Sequence, residues 1–165
     1  MDKARFSVIE IENPETNEII IGQGNFTVKT IEDFYDVLVS SSPGIEFGVA
    51  MNEAKPKLVR VNGNLQELKD RAAKTCLQLG AGHAFVIYFR KAFPLHVLNA
   101  IKSMPTIANI YCATSNPLQL ITAETSLGKS ITGVVDGTAA DKIETPKEKK
   151  ERLELLEKLG FRKKE

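Results

Sequence analysis

The sequence predicts an α/β fold in which a mixed β-sheet is covered by helices. Two observations predict it. Strand-like runs alternate with helix-periodic stretches through the middle and late chain, and turn-joined strand pairs fill the gaps between them. Composition agrees. The chain has 165 residues, 42% apolar and 26% charged, which is enough to bury one core without disulfides or a metal. No internal repeat and no long linker divides it, so residues 1–165 read as one domain.

The elements follow in order. Arg5 to Glu12 alternates apolar and polar residues and reads as a strand, broken by Asn13-Pro14-Glu15. Glu18 to Ile21 reads as its return strand. Gly22-Gln23-Gly24-Asn25 reads as a flexible loop leading to a short strand, Phe26-Thr27-Val28. Thr30 then serves as a helix cap, with Ile31, Phe34, Tyr35, Leu38 and Val39 forming the buried stripe. Ile45 to Met51 and Leu58 to Val61 read as strands around Lys55-Pro56-Lys57. Asn64 with Glu67 forms a capping-box pattern for a second helix that reaches Leu79 and stops at Gly80. Ala84 to Phe89 is apolar throughout and reads as a central strand. Pro94 opens a short helix. Ile107 to Cys112, Leu118 to Ala123 and Ser130 to Val135 are three more strands. Thr145-Pro146-Lys147-Glu148 then caps an amphipathic helix carrying Leu153, Leu156 and Leu159, with Gly160 at its end. The tail Arg162-Lys163-Lys164-Glu165 reads as a solvated end.

Charge and cysteine usage narrow the function classes. The net charge of +1 comes from 22 basic and 21 acidic residues without a basic stripe, so no nucleic-acid partner is expected. Cys76 and Cys112 lie far apart with no ligand spacing and read as reduced core thiols of a cytoplasmic protein. The first residues run directly into a strand, and no apolar run approaches 18 residues, so neither secretion nor a membrane partner is expected.

Three loops combine glycine with a polar or reactive side chain. Gly80-Ala81-Gly82-His83 is the sharpest, because glycines let backbone N–H groups approach a phosphate while the histidine offers a base or nucleophile. It reads equally as a helix stop, a turn and a core-capping histidine. Glu53 follows a strand end and would accept bonds from a diol or hold a cation; a solvated loop glutamate is the plain alternative. Asp136, before Gly137, would bind a hydroxyl or Mg²⁺, or belong to an ordinary Asp-Gly turn. His96 lies among Leu95, Val97 and Leu98 and reads as structural. Gly128-Lys129-Ser130 imitates the end of a phosphate loop but runs into a strand. Gly22-Gln23-Gly24 lacks the third glycine of a dinucleotide fingerprint. Lys129 would still reach a phosphate.

As an ordered set, the loops resemble the adenosine-specific kinase family, a domain family of archaea and some bacteria. The resemblance runs from about Ile21 to Gly137. It rests on Phe47-Gly48 with Glu53-Ala54, Leu58-Val59-Arg60 with Gly63-Asn64, and Gly80-Ala81-Gly82-His83-Ala84-Phe85. It continues through Pro94, Val97-Leu98-Asn99-Ala100-Ile101-Lys102, Ala113-Thr114 with Asn116-Pro117, and Gly133-Val134 with Asp136-Gly137. Three positions depart from the pattern: Lys55-Pro56, Leu65 and Thr106.

The resemblance implies a three-layer α/β fold, a homo-oligomer (a trimer or multiple of three), and adenosine or AMP as ligand in preference to ADP and ATP. Mg²⁺ is a possible accessory. It also implies a histidine able to carry a phosphoryl group, which by its glycine-flanked position is His83. On that reading Gly80 and Gly82 cradle a phosphate, and Arg60, Lys102 or Lys129 neutralises it. Glu53, Asn64 and Asp136 position the sugar, with Asn116 beside them. The alternatives are a non-catalytic AMP or adenosine sensor and a structural subunit whose glycine loops are only turns.

Overall fold

The computed structural model describes residues 3–163; Lys164 and Glu165 of the solvated tail lie outside the described residues. The chain runs β1 (Arg5–Ile11), β2 (Glu18–Gly24), α1 (Thr27–Ser41), β3 (Glu46–Asn52), β4 (Val59–Gly63), α2 (Gln66–Leu79) and β5 (Ala84–Arg90). It continues with α3 (Pro94–Lys102), β6 (Ile107–Thr114), β7 (Leu118–Glu124), β8 (Lys129–Asp136) and α4 (Pro146–Lys158). A five-stranded sheet has the order β4-β3-β5-β2-β6, and a three-stranded sheet has the order β1-β7-β8.

Alternation of side chains along the strands builds the layers. Ile20, Val49, Met51, Phe85, Ile87 and Phe89 face one side, where they pack on Ile31, Phe34 and Leu38 of α1 and Val97 and Ile101 of α3. Phe34 and Phe85 meet there with ring centroids 4.8 Å apart. Ile19, Ile21, Ala50, Val86 and Tyr88 face the other side, sharing a core with Leu68, Ala72, Cys76 and Leu79 of α2. Leu118, Leu120 and Ile131 of the smaller sheet join that same core. Each such aliphatic or aromatic side chain contributes about 1.5–3 kcal/mol through removal from water. The α/β class and the helices on both faces of the central sheet are therefore as expected. The strands are antiparallel throughout, and the one parallel pairing among the described residues is an isolated bridge between Ala81 and Lys129.

Two close approaches fix the sheet against its neighbours. A β-carbon on Gly48 would stand 2.1 Å from the backbone nitrogen of Lys69, so α2 lies directly on β3 at that point. A β-carbon on Gly22 would stand 2.4 Å from the Asn109 carbonyl and 2.5 Å from the Phe85 ring. The Gly22 segment is thus the packed end of β2 and not a flexible loop.

The starts of α1 and α2 differ from expectation. The helix expected to begin at Thr30 begins at Thr27, and the short strand expected over Phe26 to Val28 is its first turn. Phe26 stands at its cap with φ 47°, a left-handed backbone that supplies no side-chain cap. The Thr30 hydroxyl instead donates back to the Phe26 carbonyl at 3.0 Å and also to that of Asn25. In α2 the cap is Leu65, not Asn64, and no side chain caps the helix. Leu65 packs on the core, while the Asn64 amide is engaged with β3. The other expectations of this kind hold. Gly80 ends α2 with φ 57°, Pro94 opens α3, and Thr145 and Glu148 form the capping box of α4.

Candidate functional site

β2 and β3 end, and β5 begins, at one end of the central sheet, and that end collects most of the expected residues. His83 is half-buried and precedes β5 with φ 58°. Two backbone bonds hold it there: its N–H donates to the Asn52 carbonyl at 3.2 Å, and its carbonyl accepts from the Gly24 N–H at 3.0 Å. The Asn52 carbonyl also accepts from the Thr27 hydroxyl at 3.4 Å, which brings in the first turn of α1.

Around this anchor, Gln23 donates through Nε2 to the Gly82 carbonyl at 3.5 Å and accepts from the Tyr111 hydroxyl at 3.1 Å. Lys129 lies beside Gly80 and Ala81: its Nζ stands 4.0 Å from where a β-carbon on Gly80 would be. One residue beyond Asn52, Glu53 accepts from Arg60 Nε at 2.7 Å across the β3–β4 turn. Lys102 occupies the last turn of α3. The chain then returns to this end, where the Thr106 carbonyl accepts from the Asn25 N–H at 2.8 Å. Thr106 is buried, and its hydroxyl has no hydrogen-bond partner among the described residues. His83, Glu53, Arg60, Gly80, Gly82, Lys102 and Lys129 thus share one end of the fold.

Asn64, Asn116 and Asp136 do not join them. Asn64 lies at the other end, where Oδ1 accepts from Phe47 N at 2.8 Å and Nδ2 donates to the Ile45 carbonyl at 2.7 Å. Its amide pins α2 and β3 together. Asp136 Oδ1 accepts from Thr114 Oγ1 at 2.7 Å and Asn116 Nδ2 at 3.0 Å, locking the β6–β7 turn to β8. Thr114 is paired with Ile19, whereas His83 is tied to Gly24. Five residue steps along β2 separate these points, about 17 Å of strand.

The distribution of charge partners differs in the same way. Among the described residues, the His83 imidazole, Lys102 and Lys129 make no side-chain hydrogen bond or ion pair. Arg90 and Lys91, at the other end, both pair with Glu46. That contact, Lys91 first, holds the Glu46 carboxyl below its usual range. Two open clefts lie away from His83. One of about 360 Å³ is lined by Glu18, Arg90, Phe93 and His96 among others; another of about 350 Å³ runs along Arg71, Lys74 and Thr75 of α2. Burial raises the Glu18 carboxyl in the first. His96 there accepts from the Phe93 N–H through Nδ1 at 3.0 Å, and its ring lies 5.8 Å from that of Phe161. Its Nδ1 thereby satisfies one open N–H at the start of α3.

Burial pushes the Cys76 thiol up to about 12 and the Cys112 thiol up to about 11, so neither supplies a thiolate nucleophile. No three His, Cys, Asp or Glu side chains gather into a metal site among the described residues. No helix there is long and apolar enough to cross a membrane.

Sequence reasoning missed Gln23, Asn52 and Tyr111. The signal for Gln23 was visible: Gly22-Gln23-Gly24 and Gly80-Ala81-Gly82-His83 are both glycine-flanked polar loops. What joins them is the antiparallel pairing of Gln23 with Ala84. Tyr111 arrives through β6, whose bulged register against β2 no spacing rule encodes.

Comparison with known proteins places this arrangement. A family model described as "Adenosine specific kinase" matches residues 9–162. The chain belongs to the adenosine-specific kinase family. The crystal structure of the PH1918 protein from Pyrococcus horikoshii OT3 is 54% identical, superimposes with a TM-score of 0.94, and is matched over 98% of this chain and 100% of that one. No curated protein matches the chain. The adenosine-specific kinase fold thus extends over both the His83 end and the Asp136 end.

Proposed function

We propose that the His83 end binds adenosine or AMP and that His83 carries a phosphoryl group there. The observation that carries this reading is the coupling of two glycine-flanked loops around one histidine. Gly24 and Asn52 fix the His83 backbone, leaving its imidazole without a side-chain partner among the described residues, in a chain that belongs to the adenosine-specific kinase family. Lys129, beside Gly80, supplies positive charge for a phosphate; Lys102 supplies more from the end of α3. Arg60 is held by Glu53, so that pair presents donors and acceptors to a sugar diol together.

The chemistry follows from a nucleophilic imidazole. A His83 nitrogen attacks phosphorus of a phosphoanhydride donor, and the bond to the leaving oxygen breaks with its electron pair. The phosphoryl group then passes to the adenosine 5′-hydroxyl, whose proton is lost as the new P–O bond forms and the His83 nitrogen is regenerated.

Isothermal titration of AMP, adenosine and ATP tests binding; phosphoryl incorporation into wild type and His83→Ala tests chemistry. The expected result is binding of AMP and adenosine but not ATP, with acid-labile incorporation that His83→Ala abolishes. Binding without incorporation from any donor supports the sensor reading, which the engagement of the nearby carboxylate Glu53 by Arg60 favours. No binding of any of the three overturns both.

A further inference from the structure

We propose that Phe26 is the platform on which a flat nucleobase stacks in the His83 site. The inference deepens the adenosine/AMP reading above and rests on it.

Phe26 combines three properties that folding alone does not explain. Its backbone is left-handed, φ 47°, a region that an aromatic L-residue seldom occupies. It stands at the cap of a 15-residue helix, yet its ring offers no oxygen to the open N–H groups there. The residue is 65% exposed and belongs to neither core cluster. Asparagine or glycine would suit the backbone better, and serine or aspartate would suit the cap. Strain of this kind persists where the surroundings over-determine the backbone, and it concentrates at functional sites.

The surroundings here are those of His83. Gly24 N–H donates to the His83 carbonyl, and Asn25 N–H to that of Thr106. Phe26 follows directly, and its own carbonyl accepts from the N–H groups of Lys29 and Thr30, each at 3.0 Å. Two left-handed non-glycine residues, Phe26 and His83, are thus linked through one backbone hydrogen bond and a two-residue step. An aromatic face exposed to solvent beside the His83 loop gives a base a stacking partner that distinguishes a nucleoside from a bare sugar phosphate.

The test is titration of AMP and of ribose 5-phosphate into wild type, Phe26→Tyr and Phe26→Gly. Phe26→Gly is expected to weaken AMP about tenfold while leaving ribose 5-phosphate unchanged. Phe26→Tyr, which keeps the ring, is expected to retain AMP affinity. The Tm of Phe26→Gly is expected to hold or rise, because glycine suits the backbone and no buried contact is lost. Unchanged AMP affinity in Phe26→Gly overturns the platform alone. Equal weakening of both ligands, or a change of oligomer size by gel filtration, overturns it in favour of a structural or inter-subunit role. Absence of AMP binding to wild type overturns the site reading and the platform with it.

Discussion

The two ends of the central sheet use their polar residues in opposite ways. At the Asn64 and Asp136 end, side-chain amides and carboxylates are engaged with backbone groups or one another: Asn64 with Phe47 and Ile45, Asp136 with Thr114 and Asn116, Glu46 with Arg90 and Lys91. At the His83 end Glu53 is paired with Arg60 and Gln23 with Tyr111, but His83 is fixed through its backbone, and His83, Lys102 and Lys129 are left without side-chain partners among the described residues. Residue type alone does not separate these ends, since both carry asparagine, lysine and acids. Hydrogen-bond occupancy does. A polar side chain with its donors and acceptors satisfied stabilises the fold, whereas one fixed only through its backbone remains available to a ligand.

The largest expected effect comes from breaking the structural end. Gly48→Ala puts a β-carbon 2.1 Å from the Lys69 nitrogen, so α2 must lift from β3. Overpacking against backbone is expected to cost about 3 kcal/mol, read as a lowered midpoint in urea. A wild-type midpoint would mean that α2 does not lie on Gly48. Next is Asn64→Ala, which removes the bonds to Phe47 and Ile45. Because Asn64 is partly solvated, the expected loss is about 1–2 kcal/mol, with AMP affinity unaltered. Weaker AMP binding in a variant that still folds would return Asn64 to the ligand site and blur the contrast between the ends.

This contrast also marks what the sequence could convey. Layers, helix faces and most element limits follow from local periodicity: the Phe34 and Leu38 stripe, the all-apolar Ala84 to Phe89 run, and the Gly80 stop were each legible. The His83 loop was legible because glycine and histidine adjoin in sequence. The structural bonds of Asn64 and Asp136 were not legible, for a shared reason. Their partners, Ile45 and Phe47 or Thr114, are 17 to 22 positions away and become neighbours only after the strands pair. Phe26 escaped notice because its significance lies in a backbone angle, and the apolar Phe26-Thr27-Val28 reads locally as strand.

A smaller effect sharpens the comparison at the His83 end. His83 occupies a left-handed backbone, so His83→Gly is expected to change stability by less than about 1 kcal/mol while abolishing phosphoryl incorporation. If His83→Gly unfolds the protein, the imidazole is a structural group and the two ends are alike. Incorporation that survives the substitution would place the nucleophile elsewhere.

The smallest effect lies outside both ends, in α4, which buries none of its residues. Glu148 contacts the Lys142 ammonium, the Thr145 N–H and the Thr145 hydroxyl, which together pull its carboxyl down to about 2. A carboxyl depressed by folding adds stability above its unfolded value and loses it as pH falls towards the folded one. The α4 cap is therefore expected to hold above about pH 4.5 and weaken between there and pH 2. Hydrogen exchange of the α4 amides is expected to quicken over that window in wild type and to be quick throughout in Glu148→Gln. Amides of β3 and β5 are expected to be unaffected by the substitution, because α4 shares neither core cluster. Protection lost from both regions together would show that α4 is bound into the sheet's cooperative unit instead of fraying independently.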